Sequence, residues 1–287
     1  MSAIIVSGLV SGALYALVAS GLSLVWGSLG VFNFAHGVLL MAGAYVAWWV
    51  SAPDGLGLGL PVGILASLTF LIVAGAIFYF LLVRPWVGKA NAELAVIMTT
   101  IAGSIFMQNL VLEVFGGRFK TIDQLVEGTV TVAGTPIQAQ NLLTIILAPL
   151  LLVGLWLFLT RNRTGLAIRA VAQNQDAAQL FGISVQRVYI LTFAMSAVLA
   201  GVAGILLGGL FNISPDMGTD PLLRAFVVVV FGGLGSLPGT ILGAYAIGLI
   251  EAFASYYIGI YWTPVVLFAV LIAVLVVRPT GLMGRPA

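Results

Sequence analysis

Apolar runs of about twenty residues follow one another almost without pause, and no Lys or Arg occurs before Arg84. Runs of that length are what helices need to cross roughly 30 Å of hydrocarbon. They fall at 3–25, 35–51, 62–83, 94–116, 141–160, 188–211, 222–237, 239–257 and 262–278. Only 7% of the residues are charged and 61% are hydrophobic. Soluble domains carry about 25% charged residues, so this chain cannot cover a soluble surface. The expected fold is an all-α polytopic membrane protein of eight or nine transmembrane helices in one transmembrane domain, 1–287. The second and seventh runs are short. The seventh ends in GGLGSLPGT, where Gly and Pro break a helix, so it is either a full crossing or a re-entrant half-helix.

Lys and Arg collect on the cytoplasmic side of membrane proteins. Arg84 and Lys89 follow the third run, Arg161, Arg163, Arg169 and Arg187 the fifth, and Arg278 and Arg285 close the chain. Placing these inside puts the N-terminus outside and the C-terminus in the cytoplasm for nine crossings. The loops 52–61, 117–140, 212–221 and 258–261 then lie outside, with Arg118 and Lys120 a small inconsistency. Tyr256, Tyr257, Tyr261 and Trp262 form an aromatic belt at an outer boundary. The N-terminus lacks a basic n-region and reads as a retained span. HGVLLMAGAY (36–45) weakly echoes PGTILGAY (238–245), which is either a parallel repeat or a chance likeness between Gly/Ala/Leu-rich spans. Gly8 with Gly12, Gly201 with Gly204 and Gly208, and Gly239 with Gly243 stand at spacings that let helices approach closely.

One dense polar island, 161–187, interrupts the apolar pattern with four of the eleven Lys/Arg residues. Thr164 is its expected N-cap, Gly165 opens a helix, Asn174 and Asp176 permit a bend near 173–176, and Gly182 suits a C-cap. Two short helices lying across the membrane face form a knob able to dock in a groove of a soluble partner.

Catalytic chemistry is not encoded. There are no cysteines and one histidine, His36, which leaves neither thiolate chemistry nor a His cluster for a metal. A phosphate-binding G-x-x-x-x-G-K-[ST] loop is absent, so ATP would have to be bound and hydrolysed by another chain. With 11 Lys/Arg against 9 Asp/Glu, no nucleic-acid face is available. Candidate helix-break and gating positions are Asn33, His36 and Gly37 in GVFNFAHG and Gly232, Gly233, Gly235, Pro238 and Gly239. His36 is expected on the inner side, either as a helix-start residue satisfied by backbone or as a proton relay. Asn33 and Asn91 are expected to hydrogen-bond locally at helix starts. Ionisable residues within spans are functional candidates by default. Here they are Glu113 and Glu251, either of which could pair with Arg224.

Three stretches carry a family resemblance: 8–47, which contains NFAHG at 33–37, 163–206, with AA-x-L-x-GI, and 217–251, with GGLGS-x-PG, followed by VRPTGLMG at 277–284. They resemble the membrane permeases of branched-chain amino acid ABC importers over almost the whole chain. That resemblance implies a type II ABC importer-like permease fold and half of a path for branched-chain or other hydrophobic amino acids. The path would lie between this chain and a similar second permease. It implies two cytoplasmic ATPase subunits carrying ATP and Mg, with no cofactor in this chain. It also implies a periplasmic or lipid-anchored substrate-binding protein and a setting in the lipid of the bacterial inner membrane. The ATPase-coupling positions would be Gly165, Arg169, Ala172, Asp176, Ala177, Ala178, Leu180 and Gly182. Asp216 and Asp220 would meet the binding protein, the alternative being that they are only helix-start residues. The family also includes importers of urea, short amides and aromatic acids. Outside it, the competing classes are a self-contained secondary carrier and a channel filtered by the Gly-broken segment.

Overall fold

The computed structural model describes residues 1–132 and 135–284; Arg285 lies outside the described residues. All nine apolar runs are helical, and two short helices of the polar island lie between the fifth and sixth, which makes eleven α-helices among the described residues. In order they are α1 (Ser2–Leu29), α2 (His36–Ser51), α3 (Leu60–Phe78, continued by a π-helical turn at Tyr79–Val83), α4 (Ala92–Phe115), α5 (Ala139–Arg161), α6 (Arg163–Gln173), α7 (Gln175–Leu180), α8 (Val185–Gly208), α9 (Thr219–Gly232), α10 (Leu237–Tyr257) and α11 (Thr263–Val277). Seven helices are long and apolar enough to cross a membrane. One departure from the all-helical expectation is a small antiparallel hairpin, Thr129–Val132 with Thr135–Gln138, in the 117–140 loop. Helix α9 stops at Gly232, five residues earlier than expected, because Gly233 adopts a φ of 105°.

Hydropathy does not decide which helices are central. The bundle interior is α1, α2 and α8, where residues 13–23 of α1 are buried without a break. Only Thr263 and Leu267 of the more apolar α11 are buried. The central helices are those rich in Gly, Ala and Ser, because apolar side chains gain nothing by leaving lipid while small ones let backbones come into contact. Thus Gly248 of α10 rides directly on Gly8 and Gly12 of α1, and Gly204 of α8 on the Leu40 carbonyl of α2.

The ends of the bundle differ in charge. Trp26, Ser28, Thr160, Arg169, Gly235, Pro238 and Met283 share one cleft, which brings the ends of α1 and α5, the start of α10 and the C-terminal segment beside α6. The end of α3 joins them where Tyr79 meets Tyr189, whose hydroxyl donates to Gln175 Oε1. Seven of the basic residues flank this end: Arg84, Lys89, Arg161, Arg163, Arg169, Arg187 and Arg278. Arg118 and Lys120 lie at the opposite end, where Lys120 Nζ sits 4.7 Å from the Trp48 ring centre.

The two short helices start inside the bundle. The imidazole of His36 reaches Val18 of α1 and Ser196 of α8, eleven residues, or about 16 Å, above the end of α1. The connection 30–35 therefore climbs back between the helices, and His36 is not on the inner surface as expected. Gly37 lies in backbone contact with Gly218, the residue preceding α9. From that meeting point α2 runs to the opposite end and α9 to the basic end. Helix α1 packs on α10 as α8 packs on α3, and α2 lies on α8 and α3 as α9 lies on α1 and α10. The quartets α1–α4 and α8–α11 thus correspond with inverted direction. The parallel repeat suggested by 36–45 and 238–245 is not the arrangement found: α10 starts at the basic end and α2 at mid-depth.

Candidate functional site

The knob at 161–187 forms from turn chemistry written in its sequence. Asn162, rather than Thr164, caps α6: its Oδ1 accepts from Thr164 N at 2.9 Å. Asn174 breaks the pair and caps α7 by accepting from Ala177 N at 2.9 Å. Gly182 closes it at φ 79°, donating to Gln179 O, while Ile183 N donates to Ala178 O. The eight positions expected to couple to an ATPase separate into two sets. Gly165 and Ala178 are buried, the first against Phe158 and Leu159 of α5, so they fix the knob to the bundle and cannot touch a partner. Arg169, Ala172, Asp176, Leu180 and Gly182 are exposed and Ala177 half-buried. Phe181, which is not among the eight, is 86% exposed beside Leu180 at 88%. Two adjacent large apolar side chains after a capped turn were the available signal.

At mid-depth, Asn33 and His36 are fully buried. A carbonyl only accepts, so His36 Nε2–H donates to Val18 O (2.9 Å). Ser196 Oγ lies 3.1 Å from Nδ1, within hydrogen-bond distance. Asn33 Oδ1 accepts from Ala35 N, and Phe34 N donates to Thr100 Oγ1 of α4. These bonds tie the start of α2 to α1, α4 and α8. Asn91 stands before α4 at φ 60° without a side-chain cap bond.

Gly232, Gly233, Gly235, Pro238 and Gly239 lie apart from that junction, at the basic end, and join α9 to α10. The C-terminal segment 281–284 covers this turn. Leu282 N donates to Phe231 O (2.9 Å) and Met283 N to Gly232 O (3.0 Å), which satisfies carbonyls that the end of α9 leaves open. This plug was not foreseen, and VRPTGLMG was its only trace in the sequence.

The intramembrane charges meet at one place. Glu251 of α10 accepts from Arg224 Nε of α9 at 2.9 Å and from the Tyr15 hydroxyl of α1 at 2.6 Å. Glu113 takes no part and is exposed on α4. Asp220 belongs to the first turn of α9, four residues before Arg224, with an oxygen 3.5 Å from its Nη1, and not to an outer loop. Asp216 does lie in a connection, the 209–218 segment, and accepts from Ser214 Oγ. That connection is laced to the 117–140 loop by paired backbone bonds between Lys120 and Ile213. Among the described residues no group of three metal-ligating side chains occurs.

A family model described as branched-chain amino acid transport system, permease component, matches residues 4–275. The high-affinity branched-chain amino acid transport system permease protein BraD of Pseudomonas aeruginosa is 36% identical over 98% of this chain and 95% of its own length. LivH of Escherichia coli, which has the same description, is 35% identical over 98% and 94%. The probable branched-chain amino acid transport permease protein LivH of Methanocaldococcus jannaschii is 30% identical over 94% and 89%. No solved structure matches the chain.

Proposed function

The chain belongs to the branched-chain amino acid transport permease family, and from that membership we propose that it is the permease subunit of an ATP-driven importer for branched-chain or other hydrophobic amino acids. It forms half of the translocation path and hydrolyses nothing itself. ATP and Mg are held by two cytoplasmic ATPase subunits. A similar second permease and a periplasmic or lipid-anchored binding protein complete the assembly in the inner membrane.

The observation that carries this reading is the exposed Leu180–Phe181 pair on a capped helical knob at the basic end. Lys and Arg favour the cytoplasmic side, so the knob projects where an ATPase can reach it. The N-terminus is then outside and the C-terminus inside. All nine apolar helices are membrane-embedded, in a type II importer-like arrangement whose two short helices use buried connections to complete their passage. Residues 1–287 act as one permease domain with 161–187 as its coupling segment. An ATPase groove grips Leu180, Phe181, Ala177 and the exposed face of Arg169, Ala172 and Asp176. Its two nucleotide states shift the permease by gripping that knob differently. Gly165 and Ala178 pass the motion into α5 and α8. The mid-depth start of α2 and the α9–α10 turn serve as the gating breaks. Asp216, in the 209–218 connection between the opposite end and the start of α9, is the remaining candidate to meet the binding protein.

The test is to tag the chain in its native membrane, extract it in mild detergent and identify co-purifying proteins by mass spectrometry. A second permease and two ATPase chains are expected. The Leu180→Ser/Phe181→Ser double variant is expected to keep the second permease and lose the ATPases. Recovery of the chain alone, transporting in liposomes without ATP, would overturn the reading in favour of a secondary carrier.

A further inference from the structure

We propose that Asp220, with Arg224 behind it, holds the ammonium group of a zwitterionic substrate as it passes the middle of the membrane. This rests on the importer reading and narrows its substrate to compounds with a free ammonium group.

Depth comes first. Tyr15 stands at the centre of α1, thirteen residues from Ser2 and fourteen from Leu29, or about 20 Å from either end at 1.5 Å per residue. Its hydroxyl and the guanidinium of Arg224 meet on the same carboxylate, so the cluster lies near the bilayer midplane. Charge comes next. Two carboxylates face one guanidinium, a net charge of about −1. Both oxygens of Glu251 are taken, one by Tyr15 and one by Arg224, and the side chain is 14% exposed. Glu251 and Arg224 therefore neutralise each other. Asp220 is only loosely held at 3.5 Å from Arg224 and is 79% exposed, so the surplus negative charge is its own.

An exposed carboxylate at that depth cannot face lipid, where a charged side chain costs several kcal/mol or more. The face of α9 bearing Asp220 must look onto water or another polypeptide. Among the described residues Arg224 is the only Lys or Arg near mid-depth, so a copy of this chain, or a second permease with the same pattern of charges, has no unpaired cation to offer. What suits Asp220 is a mobile cation of small size in an aqueous path. Arg224 has five N–H donors, of which Nε is committed to Glu251 and one Nη loosely to Asp220. The rest can meet the carboxylate of the same zwitterion. Anions without an ammonium group would meet the uncompensated charge of Asp220 and be disfavoured.

The experiment uses the importer complex purified through this chain and reconstituted in liposomes with its binding protein, with radiolabelled leucine as the probe. The readout is leucine delivered per ATP hydrolysed. Asp220→Asn is expected to lower that ratio by about ten- to a hundredfold, the span of one charge-assisted bond. Asp220→Glu should restore most of it. An unchanged ratio for Asp220→Asn, or a parallel fall in uptake and ATP turnover with the complex dissociating on gel filtration, would overturn the assignment. Leucine transport failing in the unaltered complex would instead overturn the amino-acid reading beneath it.

Discussion

Replacing Gly248 by Ala tests the packing argument most directly. A Cβ there would lie 2.4 Å from Gly12 N, 2.6 Å from Gly12 Cα and 2.6 Å from Gly8 O. Ordinary contact begins near 3.4 Å, so α10 must move about 1 Å from α1 along their seam, which weakens close-packed contacts on both sides. Overpacking of this kind costs about 1–3 kcal/mol. Gly→Ala within a helix also gains about 0.5–1 kcal/mol from reduced chain entropy. Gly154 of α5 supplies the control, because a Cβ there meets nothing within 4 Å. The conformational gain is common to both variants and cancels in their difference, leaving the steric cost alone. Gly154→Ala is expected to equal or exceed the unaltered chain in stability, with Gly248→Ala about 1–3 kcal/mol below it. The assay is the midpoint of heat-induced aggregation in detergent, read as the monodisperse fraction by fluorescence-detected chromatography. If Gly248→Ala proves as stable as Gly154→Ala, the seam is not held by backbone contact and the reasoning fails.

Three further outcomes are expected. Gly182→Pro and Ala177→Trp should each abolish uptake with the protein still present in the membrane by immunoblot. Proline cannot adopt the φ of 79° at Gly182 or donate to Gln179 O, and normal uptake by both would refute the coupling role. His36→Leu should destabilise the bundle by about 1–3 kcal/mol, because the buried Ser196 hydroxyl and the Val18 carbonyl lose their ring partner. His36→Leu/Ser196→Ala should recover part of that loss in the same thermal assay, and a double variant weaker than the single would count against it. In Gly233→Ala a Cβ would fall 2.3 Å from Gly284 N at a φ of 105°. The C-terminal segment should then detach and a C-terminal tag become more quickly released by protease; an unchanged release rate would show that the plug tolerates the methyl group.

The features legible in advance were those that depend on neighbours in the chain. The bend at Asn174 and the left-handed Gly182 follow from side chains and backbones within four residues of each other. The N-cap was misplaced by two positions because Asn162 and Thr164 are both competent, and where α5 ends decides between them. The shortness of α2 and α9 was visible, but its reason was not. Segment 30–35 climbs into the bundle because Phe34, Asn33 and His36 find partners on α4, α1 and α8, from 18 to 160 positions away in sequence, and locally at Ala35.

By itself the sequence determined the number of apolar helices, the capped polar knob and the family, because hydrophobic length, cap chemistry and motif order are properties of contiguous residues. Tertiary structure decided which faces those helices present. A helix apolar all round has no stripe to orient it in lipid, so the face is chosen by where small residues let two backbones touch. That choice selected Glu251 over Glu113 for Arg224, moved His36 and Asp220 to mid-depth, and turned Gly165 and Ala178 inward while leaving Leu180 and Phe181 outside.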